Sequence, residues 1–266
     1  MEQPQLTPES LPEASPPHAM SLVGRLFNVL ATPGDVFQEV KAAPDTTANW
    51  LVPALILIAV SWVAAAVIFS QPSIKQQLSD LTERAIQRQI DSAHLSEQQA
   101  DQARAMGEKW AGLSSQIIAF LAPVAAGFIL PFLWGLIVWL LGAQLFKGHF
   151  PYMKAVEVVG LANMISVLDV VVKTLLIVGL GNLYASPSLG LLVKDFDPQN
   201  PVHGLLAAAN VMTFWLLGVR AVGLARLSGA SLAKSMVWVF AIWAAYTGLL
   251  IGLGALVQAG VKQVIG

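Results

Sequence analysis

The sequence predicts an all-α protein: an integral membrane bundle of five transmembrane helices, with interfacial N-terminal amphipathic helices and an extramembrane helical hairpin. Three observations lead to this class. Hydrophobic residues make up 56% of the 266 residues and charged residues only 12%, whereas soluble domains carry about 25% charged residues. Five stretches are long and apolar enough to cross a bilayer. Outside them, apolar residues recur at helical spacing in segments too polar to span.

The N-terminal region divides into a polar tail and an amphipathic segment. Residues 1–20 are rich in proline and lack Lys and Arg, which predicts a disordered tail without the basic start of a signal peptide. Residues 21–46 repeat apolar side chains at helical spacing and place Pro33 at a helix start. Two short helices are expected there. They either lie in the membrane interface or pack as a pair on the bundle, and the pattern fits both.

The first span and the segment after it differ sharply in polarity. Residues 47–70 contain an uncharged apolar run and form the first span. Residues 71–112 carry six acidic and five basic residues, with apolar positions at helical spacing. Ser96, with Gln99 three residues later, has the pattern of a second helix start. We therefore expect a helical hairpin that projects from the membrane.

The remaining four spans lie within residues 113–264. The second is one long helix over 113–146, kinked by Pro123 and Pro131, because two spans would need about 40 residues and a turn. The others are expected at 156–180, 205–224 and 237–261, with a loop at 181–204 and Arg220 free to snorkel. In the fifth, Ala244, Gly248 and Gly252 recur every four residues, a candidate face for close helix packing.

Basic residues indicate the orientation, because Lys and Arg concentrate in short cytoplasmic loops. With the N-terminus in the cytoplasm, the inner segments hold Arg25, Lys41, Lys147, Lys154, Arg220, Arg226 and Lys234. The short outer segments hold only Lys194 and Lys262, although the hairpin adds five bases on that side. We expect a cytoplasmic N-terminus and an external C-terminus.

Asp169 and Lys173 are the candidate intramembrane polar pair, with Asn163 as a possible neighbour. Each charge at a helix centre costs about 2.5–3.5 kcal/mol, and ionisable residues inside a membrane are functional candidates for that reason. Four residues of spacing places both side chains on one helical face. They either neutralise each other inside the bundle or contribute to a path for an ion, a proton or a solute.

The sequence offers no motif for catalysis, for a cofactor or for a metal. None of the four histidines has another ligand at helical spacing, and no phosphate-binding or nucleophile motif is present. The absence of cysteine excludes thiolate chemistry, and the net charge of −1 gives no basic field for nucleic acid. We predict a non-enzymatic protein without a cofactor.

Several stretches resemble one known family. They are "LFNVLATPGDVFQEV" before the first span, "FKGHFPYMKAVEVVGLAN" entering the third, and "NVMTFWLLGVRAVGLARLSGASLAKSMVWV" joining the fourth and fifth. Together with five spans, they resemble a bacterial member of the Yip (Ypt-interacting protein) domain family. This resemblance implies a cytosolic N-terminus, a five-helix bundle, and neither catalytic site nor cofactor. The D-L-Y-G-P and G-Y-x-x-x-P signatures of eukaryotic relatives, which bind Rab-type GTPases, are absent, so no binding residue is transferred.

The functional hypothesis is a multi-pass protein of the bacterial inner membrane that organises the bilayer or recruits protein partners. The amphipathic segment and the hairpin are the expected contact surfaces, and self-association is a further possibility. The alternative is a small transporter or channel that uses Asp169 and Lys173.

Overall fold

The computed structural model describes residues 20–93 and 97–265. The predicted disordered tail lies outside these residues except for Met20, and so does part of the predicted hairpin turn. The all-α class is confirmed, because the described residues form helices and no strand. The α-helices are α1 (Leu22–Ala31), α2 (Pro33–Ala42), α3 (Ala48–Ser70), α4 (Pro72–Ala93), α5 (Glu97–Trp139), α6 (Tyr152–Ala162), α7 (Met164–Leu180), α8 (Pro201–Ala208), α9 (Val211–Ser228) and α10 (Leu232–Ile265).

Five helical segments of the described chain are long and apolar enough to cross a membrane, as predicted. They cover Ala48–Ser70, Gln116–Leu145, Tyr152–Leu180, Val211–Ser228 and Leu232–Leu256. The ends of the bundle differ in what they carry. One end, here called the N-terminal face, carries α1 and α2. The opposite end, here called the hairpin face, carries α4 and the beginning of α5.

The second span is one helix, and it is continuous with the hairpin. α5 runs without a break from Glu97 to Trp139, with Pro123 and Pro131 inside it. A π-helical turn, Leu140–Leu145, extends it. The predicted boundary between residues 112 and 113 therefore separates no structural units. The apolar part of this continuous helix, long enough to cross a membrane, begins at Gln116.

The third and fourth spans depart from their predicted bounds. Asn163 separates α6 from α7, so the third span is two helices joined at one residue. The segment predicted as a loop contains a 3₁₀ turn, Leu189–Leu192, and the first half of α8. Asn210 caps α9 by accepting from the amides of Met212 and Thr213. The fourth span therefore begins after this cap, at Val211, instead of at the predicted residue 205.

α1 and α2 pack on the bundle, which was one of the two arrangements left open. Val36, Phe37 and Val40 of α2 are fully buried in the main core against α6 and α9. α1 is two-sided, because Val23 and Phe27 are 61% and 66% exposed although its other face joins the core. The docked pair therefore still presents an apolar ridge to its surroundings.

The hairpin is helical, and it is tied to the loops of the same face. Ile86 and Ile90 of α4 bury Ala100 of α5 in a small cluster of their own. At its base, Gln77 donates to the carbonyl of Gly181, which ends α7. Because the hairpin contacts the end of the third span, it is positioned relative to the bundle.

Candidate functional site

An ion pair buried at the start of the third span is the centre of the most extensive polar cluster in the described chain. α6 starts directly after Pro151, and its first two turns place Lys154 and Glu157 on one side. Lys154 Nζ lies 3.0 Å from Glu157 Oε1. The two residues are only 4% and 1% exposed. Two opposite charges at this depth require partners on every side.

The loop and first turn of α3 supply those partners. Asn49 Nδ2 donates to Glu157 Oε2 at 2.6 Å, and the Thr46 amide donates to Glu157 Oε1 at 3.3 Å. Asp45 Oδ1 lies 3.2 Å from Lys154 Nζ. Glu157 therefore accepts from three groups, and Lys154 contacts two carboxylates. These hydrogen bonds and ion pairs offset the cost of removing both charges from water, which explains how the pair remains buried.

The same cluster reaches the N-terminal helices. Arg25 Nη1 donates to Asn49 Oδ1 at 3.4 Å, and Arg25 Nη2 forms a 2.8 Å ion pair with Glu39 Oε1. The amide of Met20 also donates to Glu39, at 2.9 Å. We call this set of six side chains the ionic network: Arg25, Glu39, Asp45, Asn49, Lys154 and Glu157. It joins α1, α2, α3 and α6, so it fixes the amphipathic pair on the bundle.

Close backbone contact makes the network possible. Gly160 lies against Trp50, and a Cβ at Gly160 would overlap Trp50 Cα and Cβ. On the other side of α6, a Cβ at Gly223 of α9 would overlap the Val158 side chain. Gly160 lets α3 approach α6 closely enough for Asn49 to reach Glu157, and Gly223 lets α9 pack closely on the other side.

Sequence reasoning missed this site. The third span was expected to begin at Val156, and Lys154 was counted as a basic residue of a cytoplasmic segment. The structure places Lys154 inside α6 and buries it. The available signal was the Lys154–Glu157 spacing within an apolar run, the same argument that singled out Asp169 and Lys173.

Asn163 has a different partner from the one expected. Its Oδ1 accepts from Arg220 Nη2 at 3.0 Å. The guanidinium of Arg220 also lies over the Trp134 ring, 4.5 Å from its centroid. Arg220 is only 5% exposed, so the expectation that it snorkels to the interface is wrong. It instead connects α9 to the break in the third span and to the second span.

Asp169 and Lys173 lie one turn apart on α7, but they form no ion pair within 4 Å. Lys173 is exposed on the surface of the bundle, and Asp169 is half-buried. The Asp169 carboxyl interacts electrostatically with Lys173 and with the side chain of Asn210. Its Oδ1 is buried without a hydrogen-bond partner among the described residues. The two side chains therefore interact without a close ion pair, and Asn163 belongs to another contact.

The small-residue face of α10 is exposed in the described part of the chain. Ala244, Gly248 and Gly252 are all exposed, and no atom lies within 4 Å of a Cβ built at either glycine. The span formed by α10 is 6% buried, compared with 28% or more for the other four. Close packing on this face therefore requires lipid or another molecule.

The described residues contain no group of three His, Asp or Glu side chains that could hold a metal ion. Two buried polar contacts connect helices: Asn49 of α3 donates to Glu157 of α6, and Arg220 of α9 donates to Asn163 at the break in the third span. These features define a polytopic membrane protein built around interhelical polar contacts. The family model of the Yip1 domain matches residues 27–254, and the chain belongs to that family. Comparisons with curated proteins and with solved structures gave no match.

Proposed function

We propose that this Yip1 domain protein has no enzymatic activity, and that it organises the membrane and recruits partners at the bacterial inner membrane. The N-terminal face lies in the cytoplasm in this proposal, and the hairpin and the C-terminus lie outside. The short-loop distribution of Lys and Arg supports that orientation. The Yip1 domain and the five apolar helices support the membrane assignment.

The main observation behind the proposal is the two-sided helix α1. The Arg25–Glu39 ion pair and the core contacts of Leu26 fix its inner side. Val23 and Phe27 remain exposed on the other side. An amphipathic helix held at the end of a span places such side chains at the boundary between headgroups and acyl chains. Insertion there displaces lipid in one leaflet, which is how the protein would influence membrane shape.

Reconstitution tests this role directly. The full chain, and a double variant with Val23→Ser and Phe27→Ser, would be incorporated into vesicles at equal density and examined by electron microscopy. We expect the native chain to change vesicle size or shape and the double variant to lose most of that effect. Met106→Ser is the matched control, because Met106 is 63% exposed but lies on the hairpin. Equal remodelling by the native chain and the double variant would contradict the proposal.

The hairpin is the proposed surface for protein partners. Its exposed helices carry charges of both signs beside a small buried cluster, so it is an ordered structure outside the bundle. In-cell crosslinking followed by mass spectrometry would compare the full chain with a deletion of residues 75–110. Loss of specific crosslinks on deletion, with retention in the α1 variant, is the expected result. An unchanged set of crosslinks would remove the hairpin from this role.

We also propose that α10 packs against α10 of a second copy through its small-residue face. Exposed glycines spaced by four residues permit the close backbone approach seen in membrane helix dimers. The low burial of α10 leaves this face available for that contact.

A small transporter or channel is the second candidate function, favoured by the unpartnered Asp169 Oδ1 among the described residues. Proton, ion and lipid flux would be measured in liposomes for the native chain and for an Asp169→Asn, Lys173→Met variant. Flux that depends on both residues would support this candidate. Absence of flux, or flux unchanged in the variant, would reject a path through this pair.

A further inference from the structure

A cavity at the N-terminal face lies between the amphipathic pair and the turn that joins the last two spans. Its volume is about 460 Å³, and it is open on one side. Gln38 and Lys41 of α2 form one wall, and Arg226 near the end of α9 contributes to the other. Val222 and Leu232 supply apolar surface. The cavity is thus lined by two cationic side chains and by apolar side chains from the fourth and fifth spans.

Both cations are held at the cavity without a carboxylate partner. Lys41 Nζ donates to the backbone carbonyl of Arg226 at 2.9 Å, which anchors the ammonium at the end of α9. The Arg226 guanidinium lies beside the first turn of α2. If Gly34 carried a Cβ atom, that atom would be 3.0 Å from Arg226 Nη2. Neither forms an ion pair with a described acid. The acids on α2 are Asp35, which is exposed, and Glu39, which pairs with Arg25.

The beginning of α10 lies at the cavity. Leu232, the first residue of this 34-residue helix, lines it, whereas the Lys234 amide of the first turn is capped by Ser231 Oγ at 3.4 Å. A bound anion would therefore meet the two full charges of Lys41 and Arg226. The cations come from elements far apart in sequence, so the fold brings them together.

We propose that this cavity binds the headgroup of an anionic glycerophospholipid, with the phosphate between Lys41 and Arg226. The location favours a lipid over a soluble anion, because the cavity lies where α9 and α10 meet the membrane boundary. Val222 and Leu232 then contact the glycerol and the upper acyl chain. Basic pockets between transmembrane helices bind anionic headgroups in this manner.

Native mass spectrometry of the full chain in detergent tests the proposal, with phosphatidylglycerol and phosphatidylcholine as probes. The variant is Lys41→Gln, Arg226→Gln. Lys234→Gln is the matched control, because Lys234 lies over the Phe146 ring at the same face and does not line the cavity. We expect selective retention of phosphatidylglycerol by the native chain. Loss of both charges should weaken that binding about thirtyfold, from roughly fivefold for each basic residue, whereas the control should bind normally.

Three results would overturn the proposal: equal binding of the two lipids, unchanged phosphatidylglycerol binding in the double variant, or equal weakening by Lys234→Gln. Inorganic phosphate serves as a separate probe. If phosphate at millimolar concentration displaces phosphatidylglycerol completely, the cavity is a site for a free anion and the lipid assignment is wrong. Thermal unfolding of each variant in the same detergent verifies that lost binding does not reflect lost folding. If the double variant unfolds early, the single Arg226→Gln variant replaces it, because that side chain is exposed.

Discussion

Arg220 Nη2 donates to Asn163 Oδ1 across 3.0 Å, and this contact joins the fourth span to the one-residue break in the third. Arg220 Nε has no hydrogen-bond partner among the described residues, and the Trp134 ring covers the guanidinium. The buried Arg220 cation therefore has two stabilising contacts, the amide oxygen of Asn163 and the ring of Trp134, and these contacts hold three spans together.

Loss of Asn163 should therefore damage the protein more than loss of Arg220. Asn163→Leu leaves a buried guanidinium without its acceptor, at an expected cost of about 3 kcal/mol. Arg220→Met removes the charge and leaves only the neutral amide of Asn163 without a partner, so it should cost less, about 1 kcal/mol. Equilibrium unfolding in mixed micelles measures both values. A larger loss for Arg220→Met would show that the cation–π contact dominates.

The ionic network should show a similar asymmetry. Lys154→Met leaves Glu157 buried without a cation, and we expect a loss of about 3–5 kcal/mol. Glu157→Gln should cost less, because Lys154 keeps Asp45 at 3.2 Å. Arg104→Gln is the control, since its pairs with Asp101 and Glu83 are exposed and each contributes about 0–1 kcal/mol. Equal losses for Lys154→Met and Arg104→Gln in the same unfolding assay would contradict this interpretation.

Two classes of glycine should respond differently to an added methyl group. Gly160→Ala would push α6 away from Trp50, at an expected cost of about 1–3 kcal/mol in unfolding free energy. Gly248→Ala has open space, so the monomer should keep its stability or gain up to about 1 kcal/mol from helix propensity. Thermal unfolding of the monomeric protein distinguishes them, and equal effects would mean that the Gly160 contact is not tight.

Bulky substitutions on α10 test the proposed self-association. Gly248→Leu with Gly252→Leu should lower the dimer fraction about tenfold, because the added side chains hold the two backbones apart. The melting temperature of the monomer should not fall. Single-molecule photobleaching in nanodiscs or vesicles measures the dimer fraction. Gly254→Leu is the control, because Gly254 is equally exposed and lies off the four-residue repeat. If both variants dimerise like the native chain, α10 faces lipid alone.

The chain contains no cysteine, so single-cysteine variants report topology without further engineering. Glu83→Cys and Lys194→Cys lie on the hairpin face, and Asp35→Cys and Lys234→Cys lie on the N-terminal face; all four native residues are exposed. An impermeant maleimide added to intact cells should label the first two and spare the others until the membrane is permeabilised. The reverse pattern would invert the proposed orientation.

Sequence reasoning predicted the spans because each depends on the local content of apolar residues, which a single stretch of chain displays. α3 and the long second span illustrate this, since both lie close to their expected positions. The polar contacts were harder to predict because their partners are distant in sequence. Asn49 and Glu157 are 108 residues apart, and Asn163 and Arg220 are 57 apart.

Local spacing alone did not determine which pairs form close contacts. Asp169 and Lys173 have favourable helical spacing and interact electrostatically, but Lys173 is exposed and the two form no ion pair within 4 Å. Lys154 and Glu157 have nearly the same spacing and do form an ion pair, because α3 brings Asn49 and Asp45 to them. Residues from other helices, which the spacing along one helix does not reveal, determine which pair forms an ion pair.

The unbroken helix α5 gives the molecule a mechanical property. From Glu97 to the residue before Pro123 it is a rod of about 40 Å, with the first missing backbone donor at the proline. The second span continues this rod without a break and packs against α3 and α6. The hairpin helix and the span therefore form one stiff element that runs from outside the bundle into its packed interior.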